Sequence, residues 1–293
     1  YIFDHEDYDF STGFNIYENL GVKHNDRYQY VLPRYNYNKN LTISEIDGSF
    51  SFSSSGSNYL RDTNSLKSSI TNNLSYSTPD YFTNGGFKNN MNLYFKNLNS
   101  VGKKDQSYGS SPSIKGMGLF EINSSLPLVK NNALSKEILI PRISFRLNPI
   151  NDMIDYSSSS KVINADNVFA INRLGLSDTF EQGKSITLGL DYKFDKNSYI
   201  DEENEIKDKF LEIKLATVLR DSFEEKIPKK STINQKSSNI FGSINNNLFE
   251  NINFKYDFSL DNNLKTFDLH AITSEVSINN FVTEFSFIEN RNK

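Results

Sequence analysis

Apolar and polar residues alternate with a period of two through much of this chain, and polar turns break the alternation into short segments. Ile252, Phe254, Tyr256, Phe258 and Leu260 alternate with Asn253, Lys255, Asp257 and Ser259; Ile186, Leu188, Leu190, Tyr192 and Phe194 alternate with Thr187, Gly189, Asp191 and Lys193. The same rhythm runs through Ile46–Ser53, Leu139–Leu147 and, more weakly, Leu211–Leu219. Successive side chains of a strand point to opposite faces, so each segment predicts a strand with one greasy and one polar side. Roughly 12–14 such segments are expected, each near the ~9–11 residues that a tilted strand needs to cross a bilayer. No convincing helical stripe interrupts them, and Asp201–Phe210 reads as a charged loop.

The connections come in two lengths. Asp261-Asn262-Asn263 predicts a tight hairpin turn, whereas Asn99–Ser113, Asp195–Lys209 and Asp221–Ser238 read as long, polar, external loops. Short turns on one side and long loops on the other suit an outer-membrane barrel. Alternation alone leaves a soluble β-sandwich or β-helix open. The fold expectation is therefore all-β: an antiparallel transmembrane β-barrel, of which residues 1–293 form one partial domain.

Composition supports a two-faced sheet. Hydrophobic residues are only 37% of the 293 and mean hydropathy is −0.56, yet aromatics reach 13%, from 23 Phe and 16 Tyr. Disordered chains are poor in aromatics; a barrel with lipid outside and water inside needs apolar residues on one face only. The net charge of −4 argues against a nucleic-acid partner. With no cysteine, disulfides and thiolate chemistry are excluded. The opening Tyr1-Ile2-Phe3 and closing Asn292-Lys293 lead to the expectation of an internal piece of a longer protein, without its targeting signal.

Little points to catalysis, a cofactor or a metal. His5, His24 and His270 lie far apart without partners at triad or ligand spacing, and no HExxH, GxSxG or phosphate-loop pattern occurs. Asp178 with Glu181, and Asp201-Glu202-Glu203, allow a divalent-cation reading, but solvated loops are the expectation. Arg142, Ser144 and Arg146 share the polar face of one strand, as do Asp191 with Lys193 and Lys255 with Asp257; in a barrel these face the lumen. There the arginines either engage phosphates of a passing glycolipid or pair with carboxylates. Pro141, in the same segment, marks a bulge or a weakened ladder.

One segment resembles a known family. Asp166-Asn167-Val168-Phe169-Ala170-Ile171-Asn172-Arg173-Leu174, followed by Asp178, Glu181, Gly183 and a strand over Ser185–Phe194, is similar to the LptD barrel motif. In that motif a strand ends at Asn-Arg-Phe, and a loop with Asp, Glu and Gly precedes the next strand. Counted from Arg173, the Asp, Glu and last Gly fall at the family spacing, and Gly189-Leu190 matches the strand that follows. Leu174 replaces the family's Phe, Thr179 its Arg, and the loop Gly is shifted to Gly175. Tyr30-Val31-Leu32-Pro33-Arg34-Tyr35, Ser125-Leu126-Pro127-Leu128-Val129 and Ile140-Pro141-Arg142-Ile143 resemble further family strands, in order.

The resemblance implies an outer-membrane translocon of Gram-negative bacteria that inserts lipopolysaccharide into the outer leaflet, and no enzyme chemistry. It implies lipopolysaccharide as substrate, an LptE-like lipoprotein plugging the barrel, and an LptA-like periplasmic bridge that delivers through an N-terminal jellyroll domain. That jellyroll is expected to be missing here. The alternatives are another outer-membrane channel or receptor, which calls for a plug or a constriction loop, and a soluble or surface β-sheet binding protein, which calls for a second covering sheet.

Overall fold

Strand-forming segments with polar turns between them need neighbours to satisfy their backbone groups, and in this protein they find them in a single sheet. The computed structural model describes residues 1–5, 7–21, 27–43, 45–196, 209–249, 251–278 and 281–291. The strands are β1 (Ile2–His5), β2 (Tyr8–Glu18), β3 (Tyr28–Leu41), β4 (Ser49–Arg61), β5 (Leu66–Ser77), β6 (Tyr81–Phe82), β7 (Lys88–Lys103) and β8 (Ser113–Ser125). They continue with β9 (Leu128–Asn132), β10 (Ser135–Asn148), β11 (Gly183–Lys196), β12 (Lys209–Arg220), β13 (Ile240–Phe249), β14 (Ile252–Leu260), β15 (Phe267–Ile278) and β16 (Phe281–Asn290). Among the described residues the one helical element is a 3₁₀ turn, Lys229–Ser231.

The continuous path is β1-β2-β3-β4-β5-β7-β8-β10-β11-β12-β13-β14-β15-β16, with β6 beside β7 and β9 beside β10, and every ladder is antiparallel. Among the described residues β1 and β16 do not pair with each other, so the sheet is an open wall of 16 strands, slightly more than the alternation predicted. Short pieces that pair with only part of a neighbour, β6 and β9, account for the excess.

Pro141 explains one irregularity. On one side of β10, Leu139 faces Leu128 of β9 while Arg142 faces Ser125 of β8. The Leu126 amide donates to the Pro141 carbonyl at 3.1 Å, so the side of Pro141 that lacks an N–H is the side where the partner strand is interrupted. The missing donor falls at a break in the ladder instead of creating one in a regular run.

The two faces of the wall differ. On β11, Ser185 and Thr187 are 4% and 0% exposed, while Ile186, Leu188 and Leu190 keep 38–39% of their surface open. The polar face is the covered one. It is covered by the segment 149–182, between β10 and β11, and by the segment 221–239, between β12 and β13. Met153, Ile163, Val168 and Leu174 from the first and Ile227 and Ile233 from the second pack with Ala216, Val218 and Phe241 of the wall. A second small core joins Ile154 to Leu98, Met117 and Tyr108.

Three expectations are corrected here. Residues 166–174 form successive turns and no strand. The cause is local: Asn164 Oδ1 accepts from the amides of Asp166 and Asn167, and Asn172 Oδ1 accepts from the Leu176 amide, so side chains take the donors that a ladder would use. Asp221–Ser238 is no solvated loop, because Ile227 and Ile233 anchor it in the core. Asn99–Ser113 shrinks to 104–112, since β7 and β8 extend into it. Most of Asp195–Lys209, with Asp201-Glu202-Glu203, lies outside the described residues, as does His24.

Candidate functional site

Among the described residues, the segment 149–182 gathers several buried ion pairs and hydrogen bonds. Its two ends are fixed where β10 meets β11: Asn148 pairs with Gly183 in the ladder, accepts from the Ile150 amide at 3.2 Å, and donates from Nδ2 to the Glu181 carbonyl at 3.2 Å. Gly183 opens β11 at φ +86°, a left-handed value that suits glycine. A Cβ there would lie 2.7 Å from Glu224 Oε1 and 2.9 Å from Arg220 Nη2.

Arg173 and Glu181 form the centre. Arg173 Nε donates to Glu181 Oε2 at 2.7 Å and Nη2 to Oε1 at 2.5 Å; its remaining donors reach Thr187 Oγ1 at 2.9 Å and Ser185 Oγ at 3.1 Å on β11. Arg220, at the end of β12, donates to the same Glu181 Oε1 and to the Gln182 carbonyl. Burial alone would push the Glu181 carboxyl up, but the Arg173 and Arg220 guanidiniums overcome that and hold it well below the usual carboxylate range.

A second ion pair stands beside the first. Arg146 Nε of β10 is 3.2 Å from Glu121 Oε2 of β8, and the Arg146 guanidinium also donates to the carbonyls of Ala170 and Ile171 in the segment. Glu121 Oε1 accepts from Asn92 at 3.1 Å and Asn123 at 2.8 Å. Buried charges are tolerated only when paired and hydrogen-bonded in this way. Asp178 is likewise enclosed: Tyr108 donates to Oδ2 at 2.7 Å, and Tyr156 donates to Oδ1 at 2.8 Å. Burial and the Asp178 carboxylate push both phenols well up, which keeps them protonated as donors.

The other predicted residues occupy the same covered face. Arg142 pairs with Asp191 at 3.0 Å and its guanidinium carbon lies 4.1 Å from the centre of the Phe169 ring. Ser144 is buried between the positions of Arg142 and Arg146 along β10. Lys255 joins Asp166 at 3.0 Å and Asp257 at 3.4 Å, and Lys214 reaches Asp166 at 3.0 Å. Lys193 pairs with Asp195 at 2.8 Å. Asn172 serves the turn that ends at Gly175, whose φ is +63°.

The structure thus brings Arg146, Arg173 and Glu181 together, places Asp178 with Tyr108 and Tyr156, and leaves Lys193 apart. The solvated-loop expectation for Asp178 and Glu181 is overturned, because both carboxylates are buried among donors. Of the two readings for Arg142 and Arg146, pairing with carboxylates is what the geometry has. Glu121, Arg220, Tyr108 and Tyr156 were not legible as site residues; each contributes from a different part of the chain. Among the described residues no group of His, Cys, Asp and Glu has the arrangement of a metal site.

The arrangement docks a long connection onto the wall through buried ion pairs. No curated protein matches this sequence significantly. The model of one family does match, from residue 1 to residue 292, and that family is LptD, LPS transport system D. With essentially the whole sequence matched and an all-antiparallel wall to go with it, the chain belongs to the LptD family, outer-membrane proteins of lipopolysaccharide transport.

Proposed function

We propose that this chain forms part of the barrel wall through which lipopolysaccharide is inserted into the outer leaflet of the outer membrane, with the covered face turned to the lumen. The observation that carries the reading is the split between the faces: Ile186, Leu188 and Leu190 stand open on one side of β11 while Ser185 and Thr187 are buried on the other. All the described strands belong to one sheet, so no second sheet covers the aliphatic side, as a sandwich would require. Lipid is the solvent that suits such a surface. On the other side, hydroxyl, amide and charged groups suit the saccharide part of the substrate.

In this reading an LptE-like lipoprotein fills the lumen of the complete barrel, and a periplasmic LptA-like bridge supplies the substrate through a jellyroll domain. Arg142, Asp191, Lys193, Lys255 and Asp257 line the route, and Arg146, Asn172, Arg173, Asp178, Glu181 and Gly183 fix the segment 149–182 beside it. The deciding experiment depletes the protein in its native host and measures lipopolysaccharide accessible at the cell surface. A fall in surface lipopolysaccharide with accumulation behind the outer membrane is expected. Unchanged surface lipopolysaccharide, with altered uptake of small solutes instead, would make the protein a channel of another kind.

A further inference from the structure

The open face of the wall is not apolar throughout. Residues opposite one another in a ladder share a face, and an unbroken register carries the open face of β11 from Ile186 through Phe145 and Ile122 to Met91 of β7. Two rows of aromatic and aliphatic side chains follow on β7, β5 and β4: Leu93, Tyr76 and Phe50, then Phe95, Leu74 and Phe52. The next row on these strands is Asn97, Asn72 and Ser54. It is joined from end to end: Asn72 Nδ2 donates to Asn97 Oδ1 at 3.2 Å, and Ser54 Oγ donates to Asn72 Oδ1 at 2.7 Å. The Tyr35 hydroxyl of β3 extends the seam, 3.1 Å from Ser54 Oγ. Past it, toward the connections 104–112 and 149–182, apolar side chains return on the same face: Leu60 of β4 is 40% exposed, Ile114 of β8 is 78% exposed, and Val101 of β7 lies between.

Length and chemistry both put this seam at an edge of the lipid. A tilted strand crosses the hydrocarbon in about 9–11 residues, whereas β7 has 16 and must run past it. Counted from Lys88, where β7 begins, about ten residues are used up at Asn97. A primary amide offers two donors and two lone pairs, more than the bonds of the seam employ. Opposite Asn97 stands Gly116, with no atom within 4 Å of the place a Cβ would take, so that end of the seam lies open to the outside. Hydrocarbon leaves spare polar groups unmatched; water and lipid headgroups match them.

We propose that the seam Ser54–Asn72–Asn97 is the line along which the wall meets the headgroup layer of the bilayer, and that β4, β5, β7 and β8 continue beyond it into water as a rim. The seam takes headgroup and water hydrogen bonds, while Phe52, Leu74 and Phe95 directly below it contact acyl chains. Leu60, Val101 and Ile114 then stand in water, although their hydropathy and their parity on the strands would assign them to lipid. The inference rests on the reading of the open face as the lipid-facing one; it adds where, on this side of the wall, the lipid stops.

The test places a single cysteine, of which this chain has none of its own, on either side of the seam. Phe52→Cys, Leu74→Cys and Phe95→Cys report below it, Leu60→Cys, Val101→Cys and Ile114→Cys above it, and Leu188→Cys is the reference on β11. Each variant of the intact protein is labelled with a polarity-sensitive fluorophore and folded into dioleoylphosphatidylcholine vesicles, and three positions on each side keep the test alive if one variant fails to fold. Labels below the seam and at Leu188 are expected to be quenched several-fold more strongly by brominated phosphatidylcholine than by iodide in the buffer. Labels above it are expected to show the reverse, with emission shifted to the red. Bromolipid quenching on both sides of the seam, with Leu188 also quenched by bromolipid, overturns the boundary and leaves the membrane reading intact. Iodide quenching at Leu188 and on both sides of the seam overturns the membrane reading, and the boundary with it.

Discussion

Arg173 closes on Glu181 as a fork, with Nε on one carboxylate oxygen at 2.7 Å and Nη2 on the other at 2.5 Å. The two residues lie eight apart in the same segment, so the fork closes a turn on itself, and Arg220 then ties that turn to β12. With both guanidiniums and the carboxylate out of water, removing one partner leaves the others buried and unmatched. Glu181→Ala is expected to destabilise the folded protein by about 3–5 kcal/mol, read as a lower urea midpoint in detergent. A midpoint within error of the parent protein would mean that the pair contributes nothing net.

The same carboxylate gives a pH dependence with a defined sign. Its folded pKa is depressed, so its stabilisation is complete above the unfolded value of about 4.3. It is lost as pH falls below that, through the lower folded value. Unfolding midpoints measured from neutral pH downward are expected to hold to about pH 5 and then decline. In Glu181→Gln the decline from this group disappears. An equally steep fall in that variant would assign the acid sensitivity to other carboxylates.

The faces of the wall make a separate prediction. Leu188 stands 39% open in the middle of β11, whereas Lys193 on the opposite parity pairs with Asp195. Leu188→Arg is expected to weaken folding into a bilayer by roughly 2–4 kcal/mol if it lies near the midplane. Lys193→Arg keeps the charge on the polar side and should change little. Folding yields into vesicles, compared for the two variants, decide it; equal tolerance would reverse or abolish the assignment of faces.

How much of this was legible in the sequence follows from the range of the interactions involved. Alternation is a local signal, and it located β10, β11, β12 and β14 because their side chains divide between two solvents. Over Asp166–Leu174 the family resemblance implies a strand, whereas Asn164, Asn167 and Asn172 use their side-chain amides to hold turns. The spacing of Arg173, Asp178, Glu181 and Gly183 was readable through the family resemblance, but their partners were not. Glu181 meets Arg220 across 39 positions and Asp178 meets Tyr108 across 70. Such pairings exist only once strands have set the register. Ile227 and Ile233, spaced among lysines and serines, carried no periodicity that would have marked their segment as buried.

Gly183 and Gly175 separate two causes of strain. Both have positive φ, +86° and +63°, so alanine at either costs about 1–2 kcal/mol from the backbone alone. At Gly175 the nearest atom to a new Cβ is the flexible end of Lys161, at 3.4 Å. At Gly183 the new Cβ meets Glu224 and Arg220 below 3.0 Å, and Arg220 is already committed to Glu181. Gly183→Ala should therefore lower the urea midpoint more than Gly175→Ala. The reverse order would show that the Arg220 side chain shifts freely and that the cluster is less confined than its burial indicates.

Phe169 and Gly189 test whether the segment 149–182 is seated on the wall by shape as well as by charge. A Cβ on Gly189 would come within 2.6 Å of the Phe169 ring, and the guanidinium of Arg142, the residue that pairs with Gly189 across β10 and β11, lies 4.1 Å from the ring centre. The ring thus rests where the wall has no side chain, beside a cation that Asp191 fixes in place. Gly189→Ala is expected to destabilise the protein by about 1–3 kcal/mol through overpacking and to make the segment more sensitive to added protease. In a Phe169→Ala background the same substitution meets open space, so its cost should nearly vanish. A double-mutant cycle on unfolding midpoints measures that coupling. If the two substitutions simply add, Phe169 does not occupy the hollow over Gly189, and the docking of the segment rests on its ion pairs alone.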